Sequence, residues 1–408
     1  HRWGLFPGLS AGWVISEENF FEPLKDVFSF FKLKGSWGMM GNDNITAYQY
    51  LSMYSFNTDS YYAFGKTPVS VQSIYETVTA NPLVTWETAK TWNIGFSSQF
   101  LNGKLGLDLD YFQSNRNDIL ITRNASIPTY SGLSLPAENL GKVKNHGFEA
   151  IATYRDSKGD FEWGVTGNVT YAKNEVVYAD EAADTPAWQR ETGHPIDGGT
   201  YYKALGIYQT QEQIESTPHL SGTKIGDLIY QDTNKDGNIT WDDAVRRDKS
   251  ATPKWIFGLT LNGSWKGMDV NAFFQGQADA EILVQPTMNM ATDFYEGRWS
   301  ESNTAEQNAA AKWPRAFMKA SSVDNRNSQS STWWLRDASF VRLKSLEIGY
   351  TFPKTLISPL GVEKLRLYVN GNNLFTIDSV GIFDPEMTNG IRGYSLQRSW
   401  TFGLNVTF

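Results

Sequence analysis

The stretch RSWTFGLNVTF, residues 398–408, sets Trp400, Phe402, Leu404, Val406 and Phe408 on one side and Thr401, Gly403, Asn405 and Thr407 on the other. Alternation with a period of two marks a strand with one apolar and one polar face. It recurs through the chain. Trp255, Phe257, Leu259, Leu261 and Trp265 alternate with Thr260, Asn262 and Ser264, and Phe161, Trp163, Val165, Val169 and Tyr171 with Glu162, Thr166, Asn168 and Thr170. Leu105, Leu107, Leu109 and Tyr111 likewise oppose Asp108 and Asp110. The fold depends on what covers the apolar faces.

A water-soluble sandwich also alternates. Two features favour lipid. Strands of soluble proteins usually run to roughly 5–6 residues, and these patterns persist for nearly twice that length. Aromatic residues also bracket them at a constant spacing, Trp3 with Trp13, Phe161 with Tyr171 and Trp255 with Trp265. At roughly 3.3 Å per residue and a tilt near 40°, about ten residues rise about 25 Å, the height of the apolar band between the aromatic girdles of an outer-membrane barrel.

Composition agrees. With 408 residues the chain could hold two or three ordinary domains or one large all-β unit. Its 15 Trp, 19 Tyr and 24 Phe favour strands, and its 35 Gly favour the turns between them. A net charge of −8 offers no basic footprint for nucleic acid. The absence of cysteine rules out disulfides and thiolate metal sites. No apolar run is long enough for a membrane helix. The opening HRWGLFPGLSAGW is neither a Met start nor a signal peptide and reads as strand interior, as in a piece of a longer protein.

Short connections at 101–105, 155–161, 265–269 and 352–364 alternate with long polar stretches at 39–91, 117–142, 175–253, 285–335 and 376–397. Short periplasmic turns and long outer loops are the plan of an up-and-down barrel. Counting back from a terminal strand that ends in the periplasm gives eleven passes, starting near residues 3, 30, 91, 104, 145, 160, 254, 267, 338, 363 and 398. A self-contained bacterial barrel needs an even number, so eleven reads as half a wall. The expected fold is all-β: residues 1–408 as the C-terminal half of a 22-stranded antiparallel transmembrane β-barrel with long extracellular loops.

Seven blocks then read together: NPLVTWETAKTWNIGF, YFQSNRNDILI, NLGKVKNHGFEA, RWSESNTAEQNAAAKWPRA, FVRLKSLEIGYTFP, LRLYVNGNNLFT and WTFGLNVTF. In this order they resemble the C-terminal barrel half of SusC/RagA-type TonB-dependent transporters, over nearly the whole chain. The resemblance implies a nutrient importer in the outer membrane of a Gram-negative bacterium, with a plugged barrel and no enzymatic activity. A SusD-like surface lipoprotein would cover its mouth as a hinged lid, and TonB would pull on the plug, through a region outside this chain. The implied cargo is an oligosaccharide, with oligopeptides as the alternative, and transporter–lid pairs could associate as dimers. Outside this class, the residues also fit a surface β-rich binding or adhesion protein without transport.

One motif has sharper chemistry. In DTNKDGNITWDD, Asp232, Asn234, Asp236, Asn238, Thr240 and Asp243 fall at positions 1, 3, 5, 7, 9 and 12 of an EF-hand loop, with Gly237 at the sharp-turn position. Such spacing wraps oxygens around one Ca²⁺. Position 12 carries Asp where Glu is standard, and the shorter arm lowers the expected ligand count. Calcium would brace an extracellular insertion, residues 175–253; the plainer reading is an Asx-rich turn without metal.

Trp86, Trp188, Tyr201, Tyr202, Tyr208, Trp299, Trp313, Trp333, Trp334 and Tyr394 lie in the expected outer loops. Sugar faces stack on such rings, which makes Trp188, Tyr201 and Tyr394 substrate-binding candidates. The alternative for each is packing of loop on loop. His1, His146, His194 and His219 show no metal-ligand spacing, and no nucleophile elbow or phosphate loop appears. Asp108, Asp110 and Glu149 read as the wet lining of a barrel rather than as catalytic acids.

Overall fold

The computed structural model describes residues 3–45, 47–57, 61–62, 66, 69–70, 73–123, 136–284, 291–316, 326–381, 383–387 and 394–408. Eleven long strands form one antiparallel sheet: β1 (Gly8–Val14), β2 (Phe28–Asn42), β3 (Glu87–Phe100), β4 (Leu105–Thr122), β5 (Ala137–Lys158), β6 (Phe161–Tyr178), β7 (Trp255–Trp265), β8 (Met268–Ala278), β9 (Phe340–Thr351), β10 (Lys364–Asp378) and β11 (Ser399–Thr407). Each pairs with the strand before and after it, and β1 and β11 are the two edges. This is a partial barrel wall with the expected number of passes.

Register gives each face its chemistry. Leu33, Phe96, Leu109, Ala150, Val169 and Phe257 stand opposite one another across β2 to β7, an unbroken apolar row. One residue away, Lys32, Ser97, Asp108, Ile151, Asn168, Gly258, Gln275, Arg342 and Thr376 run across β2 to β10 on the other face. Ion pairs cross-link that polar face, with Lys34 2.6 Å from Asp110 and Arg366 2.7 Å from Glu347. A one-residue slip in any strand would turn its apolar set onto the polar side. Among the described residues no second sheet covers the apolar side. On β11 Phe402 is 81 % exposed and Leu404 57 %, so hydrocarbon is the solvent this face requires.

The aromatic brackets fall in register. Phe161 lies opposite Trp265, and Tyr171 opposite Trp255 with ring centroids 4.7 Å apart. Phe148 joins the second band, 5.7 Å from Trp255. Trp3 departs from the expectation, because it precedes β1 and belongs to no strand.

Strands on the long-connection side exceed the expected spans. β4 continues to Thr122 and β5 begins at Ala137, inside the stretch read as a loop from 117 to 142. Main-chain pairing needs no apolar side chains, so the ladder runs past the bilayer where the alternation ends. A register shift between Arg116 and Ile119 interrupts it there.

The long connections carry their own core. Residues 179–254, between β6 and β7, hold two short ladders, Thr200–Tyr201 with Val245–Arg246 and Ala204–Ile207 with Leu228–Tyr230. Tyr202, Ile207, Leu228, Tyr230 and Ile239 pack there with Trp299, Trp313 and Trp334 from the β8–β9 connection and Val380 from the one after β10. Asp227 is fully buried beneath them, 2.6 Å from Arg315, and accepts from Asn327 Nδ2 at 2.7 Å. The loop aromatics Tyr202, Tyr208, Trp299, Trp313 and Trp334 are thus packing residues.

Candidate functional site in the long connections

The 232–243 loop is closed by its own carboxylates. Asp232 accepts from the main-chain N–H groups of Lys235 at 2.7 Å and Gly237 at 2.9 Å. Asn234 Oδ1 accepts from Asp236 N at 3.0 Å, and Asp236 Oδ1 from Asn238 N at 2.7 Å. Lys235 (φ 62) and Gly237 (φ 84) take left-handed backbone, the turn for which glycine at the sixth position was expected. Asp243 is fully buried; its carboxylate accepts from Thr233 N at 2.7 Å and Thr240 N at 2.8 Å, completing a capping box on the turn Trp241–Asp243. Among the described residues no three His, Cys, Asp or Glu side chains are grouped closely enough to hold a metal ion. Oxygens of Asp232, Asn234, Asp236 and Asp243 here accept from the backbone, while Asn238 donates its side-chain Nδ2 to Asp236 O.

Two of the three substrate candidates meet beside this loop. Trp188 donates its indole N–H to Asp242 O at 2.8 Å, and its own carbonyl accepts from Arg246 N at 2.8 Å. Tyr201 pairs with Val245 on the same small ladder, half-buried, and burial raises its phenol above the ordinary range. Both hold loop to loop. Tyr394 is 95 % exposed and shares no hydrogen bond or ring contact with either among the described residues.

A cavity of about 1000 Å³ opens elsewhere in this layer. Trp313, Trp333, Arg336, Arg298, Lys312 and Glu296 are among its lining residues, brought together from the β8–β9 connection, with Val380 and Gly381 closing it from beyond β10. Periodicity could not find this site, because its residues lie in irregular segments. Its only sequence signal was the density of Trp and Arg between 298 and 336.

A family model described as TonB dependent receptor-like, beta-barrel matches residues 1–374. TonB-dependent receptor P3 of Formosa agariphila is 28% identical over 443 residues, covering 100% of this chain and 42% of that protein. TonB-dependent receptor SusC of Bacteroides thetaiotaomicron is 28% identical over 419 residues, covering 100% of this chain and 40% of SusC. The chain therefore spans less than half the length of these relatives. The solved RagAB peptide transporter superposes with a TM-score of 0.73 at 21% identity, covering 99% of this chain and 43% of that one, a likeness of fold. These relatives are receptors and transporters, not enzymes. The outward apolar row, the two aromatic bands and the match over residues 1–374 agree: this chain belongs to the TonB dependent receptor-like β-barrel family of outer-membrane proteins.

Proposed function

We propose that this chain is part of the wall of an importer that carries oligosaccharides across the outer membrane by TonB-dependent transport, under a SusD-like lipoprotein lid. The observation that carries the reading is the family match over residues 1–374 on a wall that is apolar outside and ion-paired inside. SusC, at 28% identity, supports the lid. Coupling to TonB would act through parts of the protein outside these residues. The fold likeness to the RagAB peptide transporter favours oligopeptides as the second reading. Mass spectrometry of material copurifying with the full-length protein tests the cargo. Bound glycans are the expected result, and bound peptides would replace sugar with peptide. If deletion of the protein abolishes surface adhesion and leaves uptake intact, the transport reading fails.

We also propose that the loop from Asp232 to Asp243 takes Ca²⁺ and braces an extracellular insertion, residues 175–253. Support comes from the complete set of oxygen-bearing residues and the left-handed turn at Gly237. Carboxylates that accept main-chain N–H groups keep further lone pairs for a cation. Trp241, 54 % exposed and inside the loop, can sensitise bound terbium. Luminescence that millimolar calcium displaces is expected; its absence overturns the calcium assignment and leaves the barrel assignment untouched.

A further inference from the structure

The cavity between the β8–β9 connection and the segment after β10 differs in charge from the rest of the chain. Arg298, Lys312 and Arg336 line it against one acid, Glu296, which is exposed, in a chain of net charge −8. Among the described residues none of the three cations has a carboxylate at ion-pairing distance. Other arginines of this layer are neutralised: Arg315 by Asp227 at 2.6 Å, Arg247 by Glu281 at 2.6 Å, Arg246 by Glu191 at 3.1 Å and Arg342 by Asp384 at 2.7 Å. A half-buried arginine without a counter-ion carries a desolvation cost that an anion would offset.

Arg336 is also held in place. Its Nη1 donates to Trp333 O at 2.7 Å and Leu335 O at 2.9 Å, and its guanidinium carbon sits 5.2 Å from the centroid of the Trp313 ring. Nε and Nη2 make no hydrogen bond among the described residues. A guanidinium held through Nη1 and set over an indole presents Nε and Nη2 as a fork, the geometry that receives a two-oxygen anion. Desolvation lowers the pKa of Arg336, in keeping with a site that lacks its anion. Trp333 lines the same space and supplies an apolar surface for a ring. The volume suits a ligand of a few sugar units.

We propose that this cavity is a subsite for an acidic sugar, with a carboxylate or sulfate ester in the fork of Arg336 and the ring against Trp333. The inference rests on the oligosaccharide reading above and narrows it to anionic glycans. Full-length protein with its lid is titrated by calorimetry with an oligogalacturonate, a sulfated oligosaccharide of equal length, a neutral malto-oligosaccharide and an acidic peptide. One acidic glycan should bind at least tenfold more tightly than the neutral one, and its identity distinguishes uronate from sulfate. Arg336→Gln should remove that preference while the barrel keeps its heat-modifiable migration. If Arg336→Gln misfolds, Lys312→Gln, at an exposed position, should weaken acidic-glycan binding several-fold. Failure of both acidic glycans to exceed the neutral one, or an unchanged preference in the folded variant, overturns the subsite; neutral-glycan binding would still support oligosaccharide import. Binding of the acidic peptide alone overturns the sugar reading itself.

Discussion

Trp188 and Asp242, far apart in sequence, are joined by a hydrogen bond of 2.8 Å from the indole N–H to the main-chain oxygen. Gln189 adds a second tie to the same turn, donating to Ala244 O at 3.0 Å. The end of the 232–243 loop is therefore fastened to the 185–191 segment. A ring committed to this contact is a brace. Trp188→Phe should leave cargo affinity unchanged and loosen residues 241–246 by about 1 kcal/mol, the net worth of one such bond. Hydrogen exchange of that segment measures it; a loss of cargo binding with unchanged exchange would restore Trp188 as a substrate contact.

Leu259 lies on the apolar side of β7, 39 % exposed, and among the described residues no second sheet lies over it. Leu259→Arg should cost about 2–4 kcal/mol if it meets the bilayer near midplane. Reversible folding into lipid vesicles, followed by urea titration, gives the value. A cost near zero contradicts the lipid-facing orientation of this strand.

Arg342, 1 % exposed on β9, bonds Asp384 at 2.7 Å, Thr376 Oγ1 at 2.8 Å and the Glu386 carboxylate. The segment 383–387 is thereby pinned to the inner wall. Removing one partner of a buried ion cluster leaves the others uncompensated, at a cost of about 3–5 kcal/mol. Arg342→Met should release this segment, seen as fast amide exchange from 383 to 387 with β9 and β10 still protected. Arg342→Met combined with Asp384→Asn and Glu386→Gln should recover much of the loss.

Alkali should open the loop core before the wall. Burial raises the phenols of Tyr201, Tyr202, Tyr208 and Tyr230 above their ordinary range. Once unfolded, these groups ionise near pH ~10. The folded layer then holds protons that the unfolded one has released, so its stability is full below that pH and falls as pH rises above it. Absorbance at the phenolate band should show these tyrosines ionising together with loss of the near-ultraviolet signal of the packed tryptophans. Smooth titration of every tyrosine with that signal intact contradicts the prediction.

The sequence by itself determined the wall. Lipid contact forces one face of each strand to be apolar and the girdles to sit a bilayer apart, so Trp255 to Trp265 carried both the strand and its length, and Phe161 to Tyr171 the membrane part of a strand that continues to Tyr178. The ends of β4 and β5 were not legible, because pairing above the membrane is made by the main chain and leaves no pattern in the side chains. The Asp232–Asp243 spacing was legible as a turn, since glycine and Asx residues act on their own neighbours. Only tertiary structure decided which aromatics pack and which line a cavity. Trp313 and Trp334 stack at 5.7 Å inside the loop core, and among the described residues half-buried Arg298 and Arg336 have no acid at ion-pairing distance, whereas Arg315 and Arg342 do. Those outcomes depend on contacts between connections far apart in the chain, and no local period encodes them.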